Sequence, residues 1–165
     1  MKEIFVRLER CTGCHTCELV CRVEHSTSKT LLGALLETPR PRRRLFVEMD
    51  GNFKIPVLCR HCEDAPCLDA CISGAIYRDA KTNAVMSNPD KCIGCWTCIM
   101  VCPYGVINRN LERRVSVKCD LCPGRETPAC VDSCPTKAFV YTEPEEFSRT
   151  RRQTYTQKVS QAAQA

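Results

Sequence analysis

The cysteines of this chain occur in four groups of four, and these groups use all 16 cysteines of its 165 residues. The groups are Cys11, Cys14, Cys17 and Cys21; Cys59, Cys62, Cys67 and Cys71; Cys92, Cys95, Cys98 and Cys102; and Cys119, Cys122, Cys130 and Cys134. The first and third share the spacing C-x2-C-x2-C-x3-C, the second reads C-x2-C-x4-C-x3-C and the fourth C-x2-C-x7-C-x3-C. Any fold of this chain must therefore place these thiols at common binding sites.

The spacing within the groups is typical of iron–sulfur ligation. Three thiolates at short spacing can hold one [4Fe–4S] cluster while a fourth, three residues later, reaches a neighbouring cluster, which is the bacterial two-cluster ferredoxin pattern. The pattern is present twice over, so we expect four [4Fe–4S] clusters with iron bound through all 16 cysteines. Such ligation leaves no iron open to substrate and no thiol as a nucleophile, so we expect a non-catalytic protein.

The composition offers little material for an ordinary hydrophobic core, because only 6% of the residues are aromatic. A chain of this length makes one compact domain or two very small ones. Metal binding supplies folding free energy in other small metal-dependent domains. We therefore expect the cluster-free chain to be largely disordered.

Disulfides are the other common use of an even number of cysteines in a small chain. The chain begins at Met1 with no signal peptide, twin-arginine leader or apolar run long enough to cross a bilayer. A leaderless chain stays in the cytosol, where thiols are kept reduced and grouped cysteines usually bind metal. We therefore expect a cytoplasmic metalloprotein without a membrane span.

The formal charge of +5 would favour nucleic-acid binding only for the bare polypeptide. Each all-cysteine [4Fe–4S] cluster carries about −2 when oxidised, so four clusters bring the net charge to about −3. We therefore expect no nucleic-acid partner and interpret many Lys and Arg residues as compensation for cluster charge. A multi-zinc nucleic-acid-binding module is the remote alternative, since zinc sites normally combine two C-x2-C pairs, which these groups exceed.

Internal repeats indicate how the chain is organised. Residues 11–21 match 92–102 and residues 67–77 match 130–140, so two kinds of group alternate, at offsets too unequal for a tandem duplication. We expect an α+β fold of two nested dicluster ferredoxin-like units, built from short hairpins and short helices around the clusters. The predicted outer unit comprises residues 1–50 with 113–142, the inserted inner unit residues 51–112, and the C-terminal tail residues 143–165.

Turn signals and ligand loops predict the elements. The expected hairpins pair Leu45–Met49 with Asn52–Val57, Ala75–Arg78 with Ala84–Ser87, and Val106–Asn108 with Arg114–Val117. The expected short helices are His15–His25, Pro66–Ile72, Trp96–Cys102 and Thr127–Cys134, and Phe147 is expected to anchor a helical tail.

Residues 26–44 lie outside this scheme and contain a leucine cluster followed by an arginine cluster. The first is expected to pack on the core and the second to lie in a solvated loop, with partner contact as the alternative for both. Their members are Leu31, Leu32, Leu35 and Leu36, and Arg40, Arg42, Arg43 and Arg44.

The order of the groups, with C-x2-C-x4-C-x3-C second and the widened group last, resembles the four-cluster electron-transfer subunits of the dimethyl-sulfoxide-reductase type. Within that superfamily the chain is similar to small soluble members associated with carbon monoxide dehydrogenase or tungsten aldehyde oxidoreductase. The resemblance implies four ligand sets: Cys11, Cys14, Cys17 and Cys134 (set 1); Cys119, Cys122, Cys130 and Cys21 (set 2); Cys59, Cys62, Cys67 and Cys102 (set 3); Cys92, Cys95, Cys98 and Cys71 (set 4).

The resemblance also implies a function and partners. The chain would relay electrons between a catalytic subunit, of the tungsten or molybdenum aldehyde oxidoreductase or carbon monoxide dehydrogenase type, and a second redox protein. The second partner would be a flavin/NAD subunit, a hydrogenase or a ferredoxin. Nesting suggests that the outer unit's clusters lie at the two ends of the line, or a close variant. A free-standing polyferredoxin that shuttles electrons is the alternative, and homo-oligomerisation stays open.

Overall fold

The computed structural model describes residues 1–164 and shows a small α+β fold with four two-stranded antiparallel sheets. Three of the sheets join consecutive strands, and the fourth joins the two ends of the chain. The pairs are β1 (Glu3–Val6) with β8 (Phe139–Thr142), β2 (Leu45–Asp50) with β3 (Phe53–Leu58), β4 (Ile76–Arg78) with β5 (Val85–Ser87), and β6 (Asn108–Asn110) with β7 (Val115–Val117).

Four of the helices follow directly from the cysteine groups, because each contains one or two ligand candidates. The helices are α1 (Thr16–Glu24), α2 (Leu31–Leu36), α3 (Pro66–Asp69), α4 (Thr97–Met100), α5 (Ala129–Asp132) and α6 (Pro144–Ala163), and Leu8–Arg10 forms a 3-10 turn. The four predicted ligand-loop helices are therefore present as α1, α3, α4 and α5. The last three are single turns, shorter than predicted.

The predicted hairpins are confirmed, with one shift. Gly51 has a φ of +55° in the turn between β2 and β3, a left-handed conformation that glycine adopts without steric cost. The first strand of the third hairpin begins at Asn108 rather than Val106. Strand β8, which no turn signal marked, pairs with β1 so that Glu3 faces Thr142 and Val6 faces Phe139.

Two small cores share apolar side chains with cysteines. In the first, where α1 packs against α5, the buried apolar residues are Ile4, Leu45, Val47, Leu58, Ala138 and Phe139. In the second, where α3 packs against α4, they are Ala65, Ile76, Val85 and Ile107. The thiols thus occupy the positions that aliphatic side chains fill in an ordinary core.

The leucines of α2 do not pack on the core, so that prediction is wrong. Leu31, Leu32, Leu35 and Leu36 are 50%, 69%, 52% and 74% exposed, and Ala34 is the buried residue of the helix. The helix starts where the Thr30 side chain accepts the N–H of Gly33, a normal N-cap. The four leucines therefore form an exposed apolar surface.

Helix α6 is attached to the body mainly through its first half. The Phe147 ring stacks on Phe5 with centroids 4.4 Å apart at 11°, and Arg151 pairs with Glu9 at 2.6 Å. From Arg151 to Gln164 every residue is exposed. The predicted role of Phe147 as the anchor is confirmed. Within residues 1–164, no helix combines the length and the apolar character needed to cross a membrane.

Candidate iron–sulfur sites

All 16 cysteines are free thiols, and most of them point into the protein. Cys14 and Cys95 are exposed, and the other cysteines are buried or half-buried. Their arrangement decides which of them can act together.

The first and fourth groups meet in the first core. Cys17 and Cys21 of α1 are buried there beside Cys130 and Cys134, with Cys11 packed against them. Burial raises the pKa of Cys130 well above its ordinary value, and the nearby thiols of Cys119, Cys21 and Cys122 raise it further. Thiols more than a hundred residues apart in the chain thus share one site.

The second and third groups meet in the second core. Cys98 is buried there, with Cys62, Cys67, Cys71 and Cys102 packed around it. One apolar cavity has walls that include four cysteines from both groups: Cys59, Cys62, Cys67 and Cys102. Burial raises the pKa of Cys67 to about 11, with the thiols of Cys59 and Cys102 contributing to the rise. Cysteines of both groups therefore line one enclosed space.

Cys119 connects the two cores. Burial raises the pKa of this thiol far above its ordinary value, and the next thiols to raise it are Cys59 and Cys21. Cys59 belongs to the second group and Cys21 to the first. Cys119 of the fourth group is therefore close to a cysteine of the first group and to one of the second.

Each group has one sulfur that accepts a hydrogen bond from a backbone N–H outside the group. The donors and acceptors are Arg44 to Cys21 (3.4 Å), Ile76 to Cys71 (3.3 Å), Ser116 to Cys92 (3.4 Å) and Ala138 to Cys134 (3.2 Å). Burial raises the pKa of Cys71 and Cys134, but the hydrogen bonds from these amides lower it, and both pKa values lie below the ordinary value. Amides directed at sulfur stabilise thiolates, so the donor set fits the anionic ligands of [4Fe–4S] clusters.

At the two exposed cysteines, Cys14 and Cys95, a neighbouring threonine favours the thiolate. A threonine two residues later lowers the pKa of each, Thr16 for Cys14 and Thr97 for Cys95. The Thr97 hydroxyl donates to the Cys95 Sγ at 3.5 Å. The sequence repeat of residues 11–21 and 92–102 is therefore also a repeat of thiolate stabilisation.

The C-x2-C turns of all four groups have the same backbone shape. The residue before the second cysteine has a left-handed φ in every group: Gly13 (74°), His61 (47°), Gly94 (70°) and Leu121 (60°). At Gly94 a Cβ would lie 2.6 Å from the Arg114 carbonyl oxygen. Glycine is required there by the neighbouring strand as well as by the turn.

Two acidic residues that the sequence analysis did not single out hold the ligand segments together. Glu18 is 6% exposed and accepts the N–H of Val47 at 2.7 Å and a guanidinium N–H of Arg43 at 2.6 Å. Asp120 pairs with Arg44 and accepts a hydrogen bond from His25 Nε2 at 3.1 Å. In the sequence, the sign of these roles was that Glu18 directly follows Cys17 and Asp120 directly follows Cys119.

The expected solvated arginine loop is therefore half wrong. Arg43 and Arg44 form the ion pairs with Glu18 and Asp120. Arg40 and Arg42 are exposed, and neither forms an ion pair within residues 1–164. Charge alone could not separate the two pairs of arginines, because the difference depends on which of them face α1 and the fourth cysteine group.

The fold and the grouped thiolates define an iron–sulfur protein with ferredoxin-like [4Fe–4S] domains. The 4Fe-4S dicluster domain family matches residues 51–143, more than half of the chain, and the 4Fe-4S binding domain family matches residues 8–24. The chain belongs to the 4Fe-4S dicluster domain family.

Named relatives agree with this assignment. An iron-sulfur protein of Rhodospirillum rubrum is 40% identical over 154 residues, covering 82% of this chain and 79% of the relative. Electron transport protein HydN of Escherichia coli K12 is 37% identical over 153 residues, covering 83% and 85%. The active site complex BamBC of benzoyl coenzyme A reductase matches all of this chain and 98% of its own at 20% identity with a TM-score of 0.47, too distant to support a conclusion. The chain is an iron–sulfur electron-transfer protein.

Proposed function

We propose that this protein binds four [4Fe–4S] clusters and relays electrons between a catalytic oxidoreductase subunit and a second redox protein. The observation that carries the proposal is that cysteines of all four groups meet in two cores, with a backbone N–H donated to one sulfur of every group. When bound, such clusters supply reversible storage of single electrons. The chain's own residues hold them, exclude water from them and donate hydrogen bonds to their ligands.

We further propose the ligand sets that the family resemblance implies, sets 1 to 4. Set 3 is supported by the cavity lined by Cys59, Cys62, Cys67 and Cys102. Set 4 is supported by the pKa values of Cys95 and Cys98, because Cys71 raises both. Set 2 is supported in the same way, because Cys21 raises the pKa of Cys122 and Cys130. Set 1 is supported by the shared core of Cys17 and Cys134.

The same contacts favour one linear order, from set 1 through sets 2 and 3 to set 4. Sets within one unit adjoin because their cysteines share a core. The effect of Cys59 on the pKa of Cys119 makes sets 2 and 3 neighbours across the units. This order differs from the one expected from nesting, with the outer unit's clusters at both ends. The exposed Cys14 and Cys95 then belong to the two terminal sets, where partners can approach.

The nested domain division remains part of the proposal. Pairing of β1 with β8 and packing of α1 on α5 support an outer unit of residues 1–50 and 113–142. Packing of α3 on α4 supports an inner unit of residues 51–112. Leu58 packs in the first core, so the inner unit begins closer to Cys59.

We propose that the chain is a subunit of the dimethyl-sulfoxide-reductase type rather than a free polyferredoxin. The catalytic partner would be a tungsten or molybdenum aldehyde oxidoreductase or a carbon monoxide dehydrogenase. The second would be a flavin/NAD subunit, a hydrogenase or a ferredoxin. The exposed leucine surface of α2 favours a stable partner, because contiguous apolar surface on a small protein usually marks a protein contact.

The ligand sets can be tested by serine substitution and electron paramagnetic resonance. Cys134→Ser and Cys17→Ser should alter the same reduced-cluster signal, although residues 17 and 134 lie in different groups. Cys130→Ser is the matched control, because it lies in the group of Cys134 but belongs to set 2. If Cys134→Ser and Cys130→Ser altered the same signal and Cys17→Ser another, the proposed sets would be wrong.

The partner can be tested by anoxic purification of the tagged chain from its native cells, followed by gel filtration and mass spectrometry. A subunit should elute with a catalytic oxidoreductase chain, whereas a shuttle should elute alone. Leu32→Ser with Leu36→Ser should release the partner without loss of iron. Met49→Ser with Phe53→Ser is the control, because these side chains are similarly exposed, 62% and 73%, on the β2–β3 hairpin.

A further inference from the structure

Lys118 is the one lysine or arginine that is buried among the described residues, with 2% of its surface exposed. It directly precedes Cys119. Its ammonium donates hydrogen bonds to the carbonyl oxygen of Val85 and, at 3.3 Å, to that of Cys119. The ion pairs formed within residues 1–164 do not include it.

A buried cation without a carboxylate is strongly unfavourable unless another negative group balances it. Asp120, two residues after Lys118, is already paired with Arg44 and His25, so the negative groups left to balance Lys118 are thiolates. Val85, whose carbonyl oxygen accepts the hydrogen bond from Lys118, packs in the second core with Cys98 and lines the cavity of Cys59, Cys62, Cys67 and Cys102. Lys118 therefore lies beside the second cysteine group. Its ammonium is also hydrogen-bonded to the carbonyl oxygen of Cys119, the first cysteine of the fourth group.

His61 does not provide a second charge at this point. Its Nδ1 lies 3.1 Å from the same Val85 carbonyl oxygen, so Nδ1 carries the proton, and its buried Nε2 has no partner among the described residues. A proton on the buried Nε2 would have no acceptor, so the ring carries one proton and no charge. Arg78, which reaches the Cys62 carbonyl oxygen at 2.8 Å, is only partly buried.

We propose that Lys118 is a fixed counter-ion between sets 2 and 3, and that it makes the two clusters held there easier to reduce. The inference rests on the proposed function, because it requires clusters at both sets. Adding an electron makes a cluster more negative, and a nearby positive charge stabilises the reduced form. Because Lys118 is shielded from water, its field is weakened little by solvent or salt.

The test is Lys118→Met in the full-length, cluster-loaded protein, measured by potentiometric titration with electron paramagnetic resonance. Two of the four reduction steps should move to lower potential. At a fixed potential their ratio of reduced to oxidised cluster should fall about tenfold, which is about 59 mV for one electron. The other two steps should change less than threefold. Lys118→Arg keeps the charge and should leave all four steps near their wild-type positions.

Lys91→Met is the matched control. Lys91 precedes the first cysteine of its group, Cys92, as Lys118 precedes Cys119, but Lys91 is exposed. Its removal should cause a smaller change that disappears in ~1 M salt, where charges are screened within about 3 Å. The change caused by Lys118→Met should persist in that salt.

Unchanged potentials in Lys118→Met, or equal changes in Lys118→Met and Lys118→Arg, would overturn the proposal and leave a purely structural lysine. If Lys118→Met loses iron, the iron content of Lys118→Arg decides. Retention in Lys118→Arg supports the counter-ion, and equal loss in both overturns it. Fewer than four reduction steps in the wild-type protein would instead contradict the proposed number of clusters, whatever the Lys118 variants show.

Discussion

At the scale of single residues, the cysteines differ in how readily they ionise before iron binds. Burial raises the pKa of Cys17 to about 12 and that of Cys67 and Cys122 to about 11. Iron binds the thiolate, so each buried thiol must release its proton when a cluster forms. The exposed Cys14 and Cys95, with lowered pKa values, are ready to bind first.

This difference predicts a pH dependence of iron retention. Because a raised pKa favours the protonated thiol up to high pH, protons compete with iron more strongly as the pH falls. A chelator should remove iron from the loaded protein at lower concentration at pH 6.5 than at pH 8.5. Equal chelator midpoints at the two pH values, for a chelator corrected for its own protonation, would contradict the prediction.

The neighbouring Arg42 and Arg43 should differ in how much each contributes to the stability of the loaded protein. Arg43→Ala should destabilise the loaded protein by about 2 kcal/mol, because it leaves the buried Glu18 carboxylate without its charged hydrogen-bond partner. Arg42→Ala, one residue earlier and exposed, should have little effect. The measurement is the guanidinium chloride concentration at which half of the cluster absorbance is lost. Equal midpoints for the two variants would show that the pair with Glu18 contributes nothing.

At the scale of elements, local signals in the sequence were sufficient wherever a turn or a ligand loop determines the structure. Asp50-Gly51 predicted the β2–β3 hairpin, and the four ligand loops predicted α1, α3, α4 and α5. The β1–β8 pair and the exposure of α2 were missed, because both depend on contacts between distant parts of the chain. The match of residues 130–140 to 67–77, which end in β4, was a usable sign of β8.

In the candidate sites, too, features with a local sequence signal could be predicted, and features that depend on distant contacts could not. The sequence indicated every cysteine as a candidate ligand, because the spacing of ligands is local, and their assignment to clusters stays a prediction. Glu18, Asp120 and Lys118 could not be recognised, because their roles come from burial and from partners that the fold brings near. Arg43 and Arg44 were misjudged for that reason.

Helix α6 should depend on one aromatic contact. Phe147→Ala removes the stack on Phe5, a contact worth about 1 kcal/mol beyond the buried area. Helices in proteins are stabilised mostly by tertiary packing, and most of α6 is exposed, so residues 144–163 should exchange amide hydrogens much faster in this variant. Tyr155→Ala, which removes a ring that is 71% exposed, should leave the exchange unchanged. The same protection in both variants would show that another contact holds α6.

At the scale of the whole molecule, the cores are built as much from thiols as from aliphatic side chains. Removing the clusters leaves anionic or protonated sulfur where bound metal had supplied the folding free energy. Anoxic treatment with a strong chelator should therefore unfold the chain, with loss of the circular dichroism signal and of amide protection in β1 and β8. A cluster-free protein with native-like circular dichroism would contradict this expectation.

The central claim is that the 16 cysteines hold four complete cubane clusters. The most direct measurement is the iron and acid-labile sulfide content of the anoxically purified, fully loaded chain. Four clusters with four irons and four sulfides each predict about 16 of each per chain. A content near eight, or a colourless protein containing zinc in place of iron, would contradict the claim.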